Sequence, residues 1–195
     1  MDTRSVVSYK GERRPGEWCK LAYWELSHRV GRLYPVVTPY IHVFWAQPCG
    51  DGLCLETLAT GNNSAPSGNG PHHVPDAVRR TRTKIGLGLT LSLEADGVWA
   101  YNRSEAPVFV NSPGLDDPGP PTLLVYRIPP GHCLNIFDPA LPPRLRESFP
   151  APPTGPVDPN SIRISFAKGW GPKYSRQEIT ACPAWLEVLL VPAAC

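Results

Sequence analysis

The chain has 195 residues, 19 of them Lys or Arg and 17 Asp or Glu, which gives a formal net charge of only +2. A protein that binds nucleic acid through general electrostatics is usually more basic, so no direct DNA binding is expected. The length suits one domain with a sizeable core, and the 25 prolines are too clustered to indicate global disorder.

Residues 1–16 are polar and basic, and we interpret them as a linker or disordered lead-in to a single domain at 17–195. They contain no apolar run of signal-peptide length. No segment of the chain approaches the ~20 apolar residues of a membrane span, so no membrane insertion is expected. Together these features predict an intracellular protein whose six cysteines are free thiols.

Many short apolar runs separated by turn residues follow, and they predict an all-β fold with short helices, a β-sandwich with helical loops. Asp96-Gly97 predicts a hairpin over 87–102. Residues 59–76 and 138–160 are predicted loop inserts because they are rich in polar residues or proline. The other predicted strands are 20–26, 30–37, 41–45, 108–110, 122–128, 133–137, 161–166 and 185–191.

A basic segment, Arg79, Arg80, Arg82 and Lys84, lies in a stretch predicted to form one or two helical turns with Asp76 as the N-cap. Two interpretations stay open. The segment is either a solvated helix face or a surface that binds an acidic partner.

The run IRISFAKGWGPKYSRQ at 162–177 starts with the alternation of a half-buried strand and is then broken by Gly169, Gly171 and Pro172. The break presents cations and a phenol beside Trp170, a composition that suits phosphate or an acidic peptide. A basic hairpin turn with a core tryptophan fits the same composition. Four further tryptophans lie in strand patterns and are expected in the core, namely Trp24, Trp45, Trp99 and Trp185.

Catalytic chemistry finds little support in the sequence. It contains no G-x-S-x-G elbow, P-loop or HExxH motif, so we predict that the protein is not an enzyme and needs no cofactor. A zinc site built from Cys49, Cys54, His72 and His73 would have the wrong cysteine spacing for a zinc knuckle, and no metal is expected.

The broken run resembles the third long loop of the Mad-homology 2 domain of Smad proteins, SF-x-KGWG-x-x-Y-x-RQ. Further matching stretches extend the resemblance over about 17–191, and several are those of the inhibitory Smads. They include Ala22–Glu25, Arg29–Tyr34, Leu53–Leu55, Lys84–Gly88, Asp96–Arg103, Pro107–Pro113, Pro129–Gly131, Asp158–Ser161 and Cys182–Glu187. The chain departs from activating Smads at Asn135, where those proteins carry a lysine that helps to hold a phosphoserine.

The resemblance implies a Smad- and FHA-like β-sandwich that acts by binding. The expected partners are type I receptor kinases of the TGF-β and BMP families, other Smad proteins and transcriptional co-repressors, in cytoplasm and nucleus. The expected role is antagonism of this signalling, with the BMP branch favoured. The predicted receptor- and phosphate-binding loop comprises Lys168, Gly169, Trp170, Gly171, Lys173, Tyr174, Ser175, Arg176 and Glu178, to which the basic segment adds affinity.

Two other functions are compatible with the residues. One is a phosphopeptide-binding β-sandwich that serves as an adaptor in another pathway. The other is a cysteine-dependent enzyme, although nothing in the sequence brings a cysteine and a histidine together.

Overall fold

The computed structural model describes residues 14–46, 51–61, 73–112, 115, 123–139 and 161–191. Within these ranges the chain forms two sheets and two short helices. The strands are β1 (Cys19–Glu25), β2 (His28–Val36), β3 (Tyr40–Phe44), β4 (Gly52–Cys54), β5 (Leu89–Glu94), β6 (Gly97–Asn102), β7 (Val108–Asn111), β8 (Tyr126–Ile128), β9 (Cys133–Phe137), β10 (Ile162–Phe166) and β11 (Trp185–Leu190). The helices are α1 (Leu55–Gly61) and α2 (Asp76–Ile85).

The six-stranded sheet has the order β2-β1-β11-β10-β7-β8 and the five-stranded sheet the order β4-β3-β5-β6-β9. Alternate side chains of both sheets, such as Leu21, Leu91 and Ile164, belong to one continuous buried cluster. The prediction of an all-β sandwich with short helices is therefore confirmed.

Most predicted strands lie within two residues of their observed bounds, and the predicted hairpin is formed by β5 and β6. The predicted strand at 122–128 is shorter and comprises only β8. Sequence reasoning missed β4, which pairs in parallel with β3, and helix α1, which extends three residues into the predicted insert at 59–76. Residues 1–13, 62–72 and 140–160 lie outside the described parts, so the lead-in and most of both predicted inserts stay predictions.

A second apolar cluster lies on the outer face of the six-stranded sheet and is called the outer cluster. Trp24 and Trp185 stack within it at 5.1 Å between ring centroids, with an interplanar angle of 7°. The expectation of core tryptophans is right for this pair, whereas Trp45 and Trp99 are only half-buried. The buried members are Ala22, Trp24, Phe109, Trp170, Ile179, Cys182 and Trp185.

The outer cluster also corrects the expectation that β10 is half-buried. Ser165 faces away from the inter-sheet core, yet it is fully buried. Its hydroxyl donates a hydrogen bond to the Lys168 carbonyl oxygen at 2.6 Å. The chain that follows β10 therefore folds back over the outside of its own sheet.

Candidate anion-binding site

The turn that ends β10 begins at Ala167, which has a φ of 60°. This left-handed conformation is uncommon for a residue with a Cβ, so the glycines that follow do not cause the break in the strand, as the sequence suggested. The Ala167 amide donates to the Pro107 carbonyl at 2.9 Å, which fixes the reversal. The Cys182 thiol adds a weak contact to the Lys168 carbonyl at 3.7 Å.

Trp170 anchors the loop that follows, which we call the basic loop (168–178). The indole is 1% exposed and belongs to the outer cluster. Burial of this side chain holds the loop against the outer face of the six-stranded sheet. Tyr174 packs against the same cluster, with its ring edge-on to Phe109 at 5.5 Å between centroids. The phenol predicted to bind an anion therefore has a packing role.

Backbone hydrogen bonds close the basic loop on itself. The Gly171 amide donates to the Arg176 carbonyl at 2.7 Å, and the Tyr174 amide donates to the Gly171 carbonyl at 3.0 Å. The glycines of this run also predict that backbone amides can approach an anion. That expectation is wrong for Gly171, whose amide already donates to Arg176.

Gly169 is required because of the Tyr174 ring. A Cβ at position 169 would lie 2.5 Å from Cε1 of Tyr174. We expect Gly169→Ala to lower the free energy of unfolding by about 1–3 kcal/mol, since the ring must leave its contact with Phe109. Urea denaturation would measure the loss. Gly61→Ala is the matched control, because a Cβ there meets nothing within 4 Å. Equal stability of the two variants would contradict this packing role.

Helix α2 carries the basic segment and is longer than predicted. It has ten residues, and Asp76 is its first residue because the N-cap position is taken by Pro75. Its inner face buries Val78, Thr81 and Ile85. The spacing of these three residues turns most of the basic side chains outward.

Arg82 is the exception, because the sequence predicts it as part of the basic surface but its charge is already paired. Its guanidinium donates to both carboxylate oxygens of Glu25, at 2.7 and 2.8 Å, and lies over the Trp45 ring at 4.9 Å. Tyr23 donates to the same carboxylate at 2.8 Å. This bidentate pair joins α2 to β1 and fixes the position of the helix. Arg79 is also engaged, in a salt bridge with Asp76.

The structure brings the two remaining cations of α2 next to the basic loop. Burial, and after it the positive charges of Lys84, Arg176 and Arg80, lowers the pKa of the Lys168 ammonium group, which places these three cations within electrostatic reach of Lys168. None of the four has a carboxylate partner among the described residues. We call Arg80, Lys84, Lys168 and Arg176 the joint basic surface.

The structure also places the remaining residues that the sequence singled out. Lys173, Ser175 and Glu178 are exposed. Glu178 accepts a hydrogen bond from the Thr180 hydroxyl at 3.3 Å. Asn135 lies on β9, where its amide donates to the Asp96 carbonyl at 3.1 Å. Sequence reasoning predicted the members of the joint basic surface but could not predict that they meet.

A bound anion should reverse the depression of the Lys168 pKa. Like charges disfavour the ammonium form, so Lys168 should lose its proton at lower pH than an ordinary lysine. A phosphate dianion favours the charged form, and by linkage binding should take up protons near that pH. An NMR titration of lysine Cε signals, with and without a phosphoserine peptide, would measure both midpoints. If the peptide does not raise the pH midpoint of the Lys168 titration, the Lys168 ammonium group does not contact the phosphate.

Within the described residues, no group of three His, Cys, Asp or Glu side chains is placed to hold a metal ion. Of the residues considered for a zinc site, Cys54 is described, and its thiol donates to the Trp45 carbonyl at 3.1 Å, whereas Cys49 and His72 lie outside the described ranges.

Among the residues that the structure describes, no helix has both the length and the apolar character needed to cross a bilayer.

Comparison with known proteins defines the class of this domain. Residues 16–191 match the family described as the MH2 domain. The solved structures with the same fold include the interferon regulatory factor 9 IAD domain, with a TM-score of 0.52, 14% identity and coverage of 93% of this chain and 87% of that chain. A STAT2 complex with IRF9 gives a TM-score of 0.51 at 13% identity, covering 90% of this chain and 92% of that chain. At such identity these likenesses concern the fold alone.

The chain belongs to the MH2 domain family. It is 52% identical over 174 residues to chicken (Gallus gallus) mothers against decapentaplegic homolog 6, covering 89% of this chain and 38% of that protein. It is 42% identical over 183 residues to human (Homo sapiens) mothers against decapentaplegic homolog 7, covering 90% of this chain and 39% of that protein. The resemblance to the inhibitory Smads is thereby confirmed, and the chain spans less than two fifths of these relatives.

Proposed function

We propose that this domain is the receptor-binding part of an inhibitory Smad-type regulator. It binds activated type I receptor kinases of the TGF-β and BMP families, with BMP receptors favoured, and it pairs with other Smads. By occupying these partners it antagonises signalling and the transcription that follows. Transcriptional co-repressors are further proposed partners, and the proposed locations are cytoplasm and nucleus.

The joint basic surface carries this proposal. Lys84, Arg80 and Arg176 lie within electrostatic reach of Lys168, and none of the four has a carboxylate partner among the described residues. Mutual repulsion of unpaired cations is relieved when an anion binds, and Lys and Arg both form charge-assisted hydrogen bonds with phosphate. A phosphorylated serine-rich segment of an activated receptor has the complementary charge.

The similarity to the two relatives and the residues of the basic loop support the choice of this signalling pathway. No residue of the surface is a nucleophile activated by a base, so the proposed role is binding and not catalysis. Arg82 contributes indirectly in this proposal, because its pair with Glu25 holds α2 beside the loop.

Binding to the cytoplasmic domain of a type I receptor, phosphorylated or unphosphorylated, tests the proposal. We expect strong preference for the phosphorylated form and affinity that falls as salt rises from about 0.05 to about 0.3 M, because exposed charges are screened. The double variant Arg80→Glu/Lys84→Glu should bind weakly and with a flatter salt dependence. Equal binding of both receptor forms, or affinity insensitive to salt, would refute the proposal.

Arg32→Glu is the matched control for the charge reversals. Arg32 is exposed on β2, three strands away from β10 in the same sheet. It should keep the parental affinity. The alternative, an adaptor of another pathway, is not favoured by the relatives, and it predicts that serine phosphopeptides of unrelated sequence bind as tightly as the receptor segment.

A further inference from the structure

Ser175 is an exposed residue of the basic loop, with Lys173 and Arg176 close to it in the chain. Its hydroxyl makes no hydrogen bond with any residue in the described ranges. The backbone around it is fixed, because Tyr174 and Arg176 both take part in the hydrogen bonds with Gly171. A free hydroxyl is therefore presented from an ordered loop, on the residue next to Arg176 of the joint basic surface.

The surface beside Ser175 already has the properties of a phosphate site. Arg176 is the next residue, and it lies close enough to Lys168 for its charge to lower the pKa of that ammonium group. Lys84 and Arg80 act on Lys168 in the same way. A phosphate attached to a residue next to such a cluster can form charge-assisted hydrogen bonds with it without the entropic cost of bringing in a separate anion.

We propose that Ser175 is a phosphorylation site, and that its phosphate occupies the joint basic surface and blocks it against acidic partners. This inference rests on the proposed function, since it assigns a means of regulation to the same surface. The unphosphorylated domain would bind phosphorylated receptor segments. In the phosphorylated domain, the Ser175 phosphate would pair with the cations of the joint basic surface instead.

The chemistry is transfer of the γ-phosphoryl group of ATP by a serine kinase. The Ser175 Oγ forms a bond to the γ-phosphorus while the bond from that phosphorus to the β–γ bridging oxygen breaks. The hydroxyl proton passes to the base of the kinase, and ADP leaves. The product adds about −1.5 to −2 charges to the loop at neutral pH.

Thr83 is the competing hydroxyl because it lies on the helix that carries Arg80 and Lys84, and two observations disfavour it. Its hydroxyl donates to the Arg79 carbonyl at 3.3 Å. It also lies in the last turn of α2, where the negative end of the helix dipole repels a phosphate. Ser175 has neither disadvantage.

The first test uses the whole chain with phosphoserine incorporated at position 175 and follows the phosphate by ³¹P NMR as a function of pH. Nearby cations favour the dianion, so the second phosphate pKa should lie roughly 0.5–1 unit below its ordinary value near 6. A phosphopeptide of residues 170–180 is the matched control, because it keeps Lys173 and Arg176 but lacks the fold. In the Arg80→Ala/Lys84→Ala background the midpoint should return toward that of the peptide. Identical midpoints for protein and peptide would overturn the proposed site.

The second test asks whether the modification occurs and whether it blocks. Mass spectrometry of the chain expressed in animal cells with phosphatase inhibitors should find phosphate at Ser175, and Ser175→Ala should remove it. Absence of that phosphate would overturn the assignment. The phosphorylated chain should bind a phosphorylated receptor segment at least about tenfold more weakly, and unchanged affinity would overturn the blocking role. If neither form binds the segment, the proposed function fails, while the NMR titration still decides whether Ser175 phosphate occupies the surface.

Discussion

The Lys168→Glu variant should fold like the parent and lose binding to the phosphorylated receptor segment by at least about 30-fold. Lys168 is held by its backbone, whose carbonyl accepts the Ser165 hydroxyl, so the side chain is not needed to shape the loop. The change also removes repulsion from Lys84, Arg176 and Arg80, and stability should stay within about 0.5 kcal/mol of the parent.

Affinity is best measured by titration calorimetry, with thermal denaturation as the test of folding. The Arg32→Glu control changes the same charge by the same amount on a distant strand. If a folded Lys168→Glu variant keeps the parental affinity, Lys168 is not part of the binding surface.

Trp170→Ala should cause the largest loss of stability among the loop variants considered, about 3–5 kcal/mol, because it removes a fully buried indole from the outer cluster. The cluster also holds Tyr174 and the stacked pair of Trp24 and Trp185. Without the indole the basic loop loses its fully buried anchor and keeps only the partly buried Tyr174, so affinity for the receptor segment should fall together with stability.

Trp99→Ala is the matched control for this variant. Trp99 is a half-buried tryptophan on β6, and its indole donates to the Asp96 carboxylate at 2.8 Å on an exposed part of the sheet. The Trp99→Ala variant should have a free energy of unfolding about 1 kcal/mol lower than the parent, as measured by urea denaturation, a value typical of substitutions that create no cavity. Equal losses for the two variants would show that Trp170 is not an anchor.

Local sequence patterns were sufficient to predict most of the sandwich. The alternation of Leu89, Leu91 and Leu93, followed by Asp96-Gly97, specifies the β5–β6 hairpin through side-chain periodicity and turn chemistry alone. Strand β4 was missed because three residues are too few for a period to emerge. Its position is set by parallel pairing with β3, which is a tertiary contact.

The cations of the site could be identified from the sequence, but the residues that each of them pairs with could not. Arg79, Arg80, Arg82 and Lys84 look alike as a basic run. Only the fold shows that Arg82 is paired with Glu25, which is 57 positions earlier in the chain. In the same way, Ala167 carries the left-handed turn that the neighbouring glycines seemed to explain. Partners distant in sequence decide both cases.

The sequence led us to expect separate, additive contributions from the basic loop and the basic segment. The structure replaces that expectation, because Lys168 and Lys84 are close enough for one charge to affect the other. Neighbours that share one ligand are not additive in their effects.

A double-mutant cycle on Lys168→Ala and Lys84→Ala tests this account most directly, with affinity for the phosphorylated receptor segment as the readout. We predict that each single change weakens binding and that the pair shows a coupling energy of at least about 0.5 kcal/mol. Strictly additive losses, or a Lys84→Ala variant with parental affinity, would contradict a joint basic surface formed by the loop and the helix.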